Sequence, residues 1–211
     1  HMGTLLREVR RVLNQGFEGL VEQNRQTLKI AREGQRRVQL WSNIIAANIF
    51  KVFRLSRWQE DVERTQRYAA TISSLQEISE SLRDIVVRAH LHVANNHSGL
   101  LAEQVAELDQ IRSALVEILD HTSLALRSKE APDHQAIAHG NRALRELVNE
   151  FDQNQIMRIQ ANRSKTRLSI LFYSFMWDSL KIAEQATRLF EIFDESLRID
   201  APRTDPETAP Q

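Results

Sequence analysis

The chain has 211 residues, zero formal net charge, no cysteine, and only six glycines and four prolines against 42% hydrophobic and 27% charged residues. Balanced charge excludes a global field that would gather nucleic acid, without excluding a local patch, and the lack of cysteine excludes disulfides and thiolate zinc sites. So few breakers, with apolar content enough for one core, predict long helices in a single domain.

No apolar run approaches the roughly 18 residues a spanning helix needs, so the polypeptide as written is expected to be soluble, and its composition suits a reducing compartment. Residues 1–3 (His1, Met2, Gly3) read as the remnant of tag removal, and the domain is expected over 4–198.

Over residues 4–54 the apolar positions Leu5, Val9, Phe17, Leu20, Leu28 and Ala31 follow helical spacing, which loosens near 23–26. Gly34 reads as a kink or a break before the stripe resumes at Val38, Trp41, Ile45, Ile49 and Val52, giving one long helix or a pair. A second helix is predicted over about 59–93, with Ile72, Leu75, Leu82 and Ala89 on one face. The stretch RAHLHVANNHSGLL then ends it, because Asn and Gly accept the left-handed conformation and Ser98 can cap the next helix.

The third helix is expected over about 99–128 on Leu101, Val105, Leu108, Leu115 and Leu126. Pro132 suits the first turn of a fourth, running to about 162, and Ser164 would cap a fifth over about 165–197. Residues 199–211, polar and punctuated by proline, read as a disordered tail. Short links between long amphipathic helices predict an all-α, elongated antiparallel up-and-down bundle of five or six helices.

Three groups could carry chemistry. His90, His92 and His97 surround the Asn-Asn turn, but on a helix His90 and His92 point about 200° apart, so they cannot share an ion. Structural use at the helix end is the favoured reading, and a metal role for His90 and His97, completed by an acid such as Asp84 or Glu103, is the alternative. Glu80 and Asp84, like Glu146 and Glu150, are spaced i, i+4 and share a helical face, suited either to solvated acids or to a bridged cluster. Arg158, Arg163, Ser164, Lys165 and Arg167 surround a helix start, where amides, dipole and cations could hold an anion. The aromatic groups Trp41, Phe50, Phe53 and Phe172, Tyr173, Phe175, Trp177 read as core rather than as a partner groove. No phosphate loop, metalloprotease motif or nucleophile elbow is present, so no enzyme is expected.

The strings NIFKVFR (48–54), SLQEISESLRDI (74–85), HVANNHSGL (92–100) and QIMRIQANRSKTRLSILFYS (155–174) resemble the soluble C-terminal, PhoU-like domain of bacterial inorganic phosphate transporters of the PiT family. The resemblance spans nearly all of 4–198 and is most specific in the last string. It implies a regulatory domain on the cytoplasmic side of the inner membrane, whose partner is a phosphate permease, in the same chain or a neighbouring one. A homodimer is compatible with it, and nucleic acid is not an expected partner. PhoU proteins carry E-x-x-x-D motifs that can hold a multinuclear metal cluster. The resemblance matches these to 76–80 or to Glu80 and Asp84 in the first half, and in the second to 180–184, where Leu180 stands in place of the first acid. The implied cofactor is thus none, or a divalent or transition metal ion.

Overall fold

The computed structural model describes residues 1–55, 62–128 and 133–200. Among them are six α-helices and no strand: α1 (Met2–Val21), α2 (Arg25–Leu55), α3 (Val62–Ala94), α4 (Ala102–Ala125), α5 (His134–Gln160) and α6 (Thr166–Asp200). The all-helical bundle expected from periodicity is what forms.

The stretch 4–54 is a pair of helices, broken at residues 22–24 and not at Gly34. Asn24 Oδ1 accepts from the backbone N–H groups of Gln26 and Thr27 and so caps α2. Gly34 lies inside an unbroken helix, and a Cβ there would stand 2.6 Å from Val12 Cγ2. The glycine lets α1 and α2 approach closely, a packing role that a breaker reading misses.

Three reversals at one end of the bundle share one design. Gln23, Asn96 and Asn162 take φ of 53°, 53° and 54° at the ends of α1, α3 and α5. In each turn the left-handed residue donates its N–H three residues back, as Asn96 does to Val93, and the next residue donates five back, as His97 does to His92. These are Schellman closures, which satisfy carbonyls that a helix end leaves orphaned. Asparagine tolerates that backbone, whereas Gln23 carries a strain of about 1 kcal/mol.

Other boundaries differ from expectation for local reasons. Ser98 does not cap α4; Leu101 is the capping position, and Gln104 Oε1 accepts from the Leu101 N–H at 3.0 Å. Asp133 caps α5 by accepting from the Ala136 N–H at 2.9 Å, and Pro132 lies outside the described residues. Ser164 is turned inward, and α6 begins at Thr166. At the far end α6 continues to Asp200, beyond the predicted end near 197, and the rest of the predicted tail lies outside the described residues.

The helices α1, α2 and α3 pack on one another, as do α4, α5 and α6, and the two halves join through α1 on α4 and α3 on α6. Leu5, Leu13, Leu82, Leu108, Phe172 and Phe175 are fully or almost fully buried in one continuous core. Each such side chain stabilises the fold by about 1.5–3 kcal/mol through removal from water. The aromatic reading divides here: Phe172 and Phe175 are core, while Trp41, Phe50 and Trp177 are 40%, 56% and 41% exposed. A helix as long as α2, roughly 46 Å at 1.5 Å per residue, outruns α1, roughly 30 Å, so its last turns have no α1 to pack on.

Candidate functional site

The densest constellation of polar side chains lies at the Schellman end, where α4, α5 and α6 meet. Arg158 of α5 donates to Glu107 of α4 through two nitrogens, Nη1 to Oε1 at 2.9 Å and Nη2 to Oε2 at 2.5 Å, with both side chains almost wholly buried. Asn154 Nδ2 adds a third bond to Glu107 Oε1 at 3.0 Å, and the guanidinium sits 5.2 Å from the centre of the Phe172 ring. A bidentate, hydrogen-bonded and ring-stacked pair meets the conditions under which a buried charge pair is tolerated.

Gln155 extends the network. Its Oε1 accepts from Arg158 Nε and Gln104 Nε2, and its Nε2 donates to the hydroxyls of Ser164 and Ser169. Gln104 Nε2 also reaches Ser164 Oγ at 3.2 Å. One glutamine therefore caps α4 and ties it to α5 and to the turn before α6. The arrangement fixes three helix ends against one another and leaves its buried cation no charge to spare for a ligand.

Of the residues read as an anion site, then, Arg158 is committed to Glu107 and Ser164 to the glutamines. Arg163 pairs with Glu103 at 2.5 Å on the surface. Lys165 and Arg167 are exposed, and Arg167 Nη1 lies 3.1 Å from the His97 ring nitrogens.

The histidines divide as helical geometry requires. His92 is buried and its Nε2–H donates to the Ser98 carbonyl at 2.8 Å, the structural use anticipated for a histidine at this helix end. His90 faces α2, with Nδ1 3.4 Å from Arg32 Nη1. Burial, then Arg32 and Arg25, push its pKa below the ordinary value, and desolvation, Arg167 and His92 do the same for His97. A guanidinium beside each ring favours the neutral imidazole and repels a metal cation equally.

Glu80 is exposed on α3, and Asp84 is half-buried beside Arg83. Among the described residues, no group of three or more His, Asp or Glu side chains could hold a metal ion, so the four candidates Glu80, Asp84, His90 and His97 are not gathered into one site.

The acid that sequence reasoning missed is Asp178 on α6. It is buried, accepts from Ser174 Oγ at 3.0 Å and lies 3.5 Å from Lys181 Nζ. Burial pushes its carboxyl above the usual carboxylate range, with Asp84 across the α3–α6 contact adding to the rise, while Ser174 and Lys181 oppose it. The available signal was the spacing of Ser174, Asp178 and Lys181 on one helical face; the approach of Asp84 needed the tertiary contact.

A carboxyl whose native pKa exceeds its unfolded one takes up a proton on folding. Its contribution is complete at acid pH and is lost as pH rises through the native value. Asp178→Asn is therefore expected to raise the melting temperature at neutral pH, with the gain shrinking toward about pH 4, the ordinary carboxylate range. Melting curves of both proteins across that range check this.

The six helices of the described residues, arranged as two three-helix halves tied by a polar lock, define an all-α helical bundle. The chain is similar to the crystal structure of PhoU from Pseudomonas aeruginosa, with a TM-score of 0.72 over 94% of each chain at 12% sequence identity. The fold is PhoU-like. No family model matches the sequence, and no curated protein matches it.

Proposed function

We propose that the chain is a non-enzymatic regulatory domain of inorganic phosphate transport, which acts through protein contacts on a membrane permease of the PiT type from the cytoplasmic side of the inner membrane. The observation that carries this reading is the PhoU-like fold, which extends over 94% of the chain and not over one half alone. The strings at 48–54, 74–85, 92–100 and 155–174 support it, since they are the segments that resemble transporter-linked PhoU domains.

The internal chemistry agrees with a contact-based role. The strongest charges in the interior, Arg158 and Glu107, satisfy each other, and no helix among the described residues is long and apolar enough to cross a membrane. Regulation would therefore pass through surfaces. Capture from detergent-solubilised membranes of the source bacterium, read by mass spectrometry, tests the partner: a phosphate permease should be enriched on the tagged chain. Enrichment of no phosphate permease would contradict the proposal.

A further inference from the structure

A cleft between the end of α3 and the start of α6 gathers two arginines that are distant in sequence. Arg88 and Arg167 line a cavity of about 200 Å³ with Asn95 and His97, while Leu91 and Ile170, each about half exposed, form an apolar wall. Both guanidiniums are exposed, and neither makes an ion pair with an acid among the described residues. Arg167 Nη1 rests instead against the His97 ring, 3.1 Å from both nitrogens. Of the cations that read as an anion site in the sequence, only Arg167 belongs to this cleft, and the packing of α3 on α6 brings Arg88 to it.

The positive charge here is uncompensated. Residues 85–102 and 153–177 include every residue that lines the cleft and contain no acid. The four acids that bound these stretches are all engaged elsewhere. Asp84 lies 3.4 Å from Arg83 Nε, Glu103 pairs with Arg163, Asp152 accepts from the Tyr173 hydroxyl, and Asp178 is held by Ser174 and Lys181. The His97 ring registers the imbalance, since the charges that act with desolvation to lower its pKa are Arg167 and His92, both cationic. The backbone does not need these guanidiniums either. Carbonyls at the end of α3 accept from the N–H groups of Asn95, Asn96 and His97, and Arg25 donates to the Ala94 carbonyl at 3.1 Å. At the other wall α6 opens with no acid in its first turn, so its amide end adds a positive partial charge.

Charge and size together select the ligand. Two guanidiniums without an acid call for a dianion, and a carboxylate would balance only one of them. A tetrahedral phosphate group carries two charges and offers separate oxygens to two guanidinium forks. A cavity of about 200 Å³ falls below the roughly 300–1,000 Å³ of sites for drug-sized molecules, so it suits a small anion. We infer that Arg88 and Arg167 bind a phosphate dianion, free or as a small monoester, in the cleft between α3 and α6, with the Asn95 amide as a further donor. The organic part of a monoester would rest on Leu91 and Ile170. This inference uses the cleft's own charges and volume and does not rest on the transport reading.

Calorimetric titration of the full chain with inorganic phosphate, and separately with phenyl phosphate, tests it. Saturable binding of at least one is expected. Tighter binding of phenyl phosphate would identify a monoester as the ligand, and equal or tighter binding of inorganic phosphate would identify the free ion. Benzoate, a monoanion with the same ring, should bind about tenfold or more weakly than phenyl phosphate. Arg88→Gln and Arg167→Gln should each weaken binding by about tenfold or more, the scale of one charged hydrogen bond. Arg36→Gln, exposed on α2 outside the cleft, should leave it unchanged. All three side chains are exposed, so helicity by circular dichroism should not change. No saturable binding of either phosphate, binding indifferent to Arg88 and Arg167, an equal loss in Arg36→Gln, or benzoate bound as tightly as phenyl phosphate would overturn the inference. Permease capture that succeeds while phosphate binding fails removes this site alone and leaves the transport reading standing.

Discussion

Glu107→Ala should cost the fold about 3–5 kcal/mol, the range found when one partner of a buried ion pair is removed. The change leaves Arg158, whose side chain is 5% exposed, with an uncompensated charge among α4, α5 and α6, and it also strands Asn154 Nδ2. For a domain of this size that corresponds to a fall in melting temperature of roughly 10 °C. The penalty belongs to the orphaned charge and not to the contact as such. Replacing both partners together, Glu107→Met with Arg158→Leu, should therefore be near neutral, or even stabilising by about 1–4 kcal/mol. Denaturant melts of the single and double variants separate these outcomes, and a double variant as unstable as the single would refute the assignment.

Phe172→Ala is the second large effect, at about 3–5 kcal/mol for the loss of a fully buried ring and the cavity left behind. The ring also carries the Arg158 guanidinium at 5.2 Å, so this site and Glu107 share a partner. Their effects should not add: a coupling of about 0.5–3 kcal/mol is expected in the double-mutant cycle, as for residues within one network. Strict additivity, measured by chemical denaturation, would mean that the ion pair and the ring stack are independent.

The fold was largely legible in the sequence because amphipathic periodicity over stretches of 20 or more residues leaves little choice of element. What periodicity cannot weigh is why a breaker residue is present. Gly34 looked like punctuation and is a packing notch for Val12, while the real break fell where the stripe loosened and Asn24 could cap. The Asn-Asn turn was readable, since Asn96 does take the left-handed backbone and His92 does bond the chain at the helix end.

The polar residues were less legible, and for one reason. Arg158 and Ser164 belong to a basic, serine-containing string that reads as an anion site. Only the tertiary fold brings Glu107 from 51 residues away to neutralise the arginine, and Gln104 and Gln155 to occupy the serine. Asp178 went unnoticed because its raised pKa comes from burial and from Asp84 on another helix. Conversely, Trp41 and Phe50 have core-like identities and helical spacing, yet both stand part-exposed on α2. For Phe50, which lies past the start of α1, unequal helix lengths are a cause that no local window contains.

The central proposal, that this PhoU-like bundle regulates phosphate transport, is tested most directly by the rate of labelled phosphate uptake in the source organism with the coding region of residues 4–198 deleted in frame. The account predicts an altered uptake rate, or altered dependence on external phosphate, restored when the domain is supplied again, with uptake of an unrelated anion such as sulfate unchanged. Phosphate uptake identical to the parent strain at both scarce and abundant phosphate would contradict it.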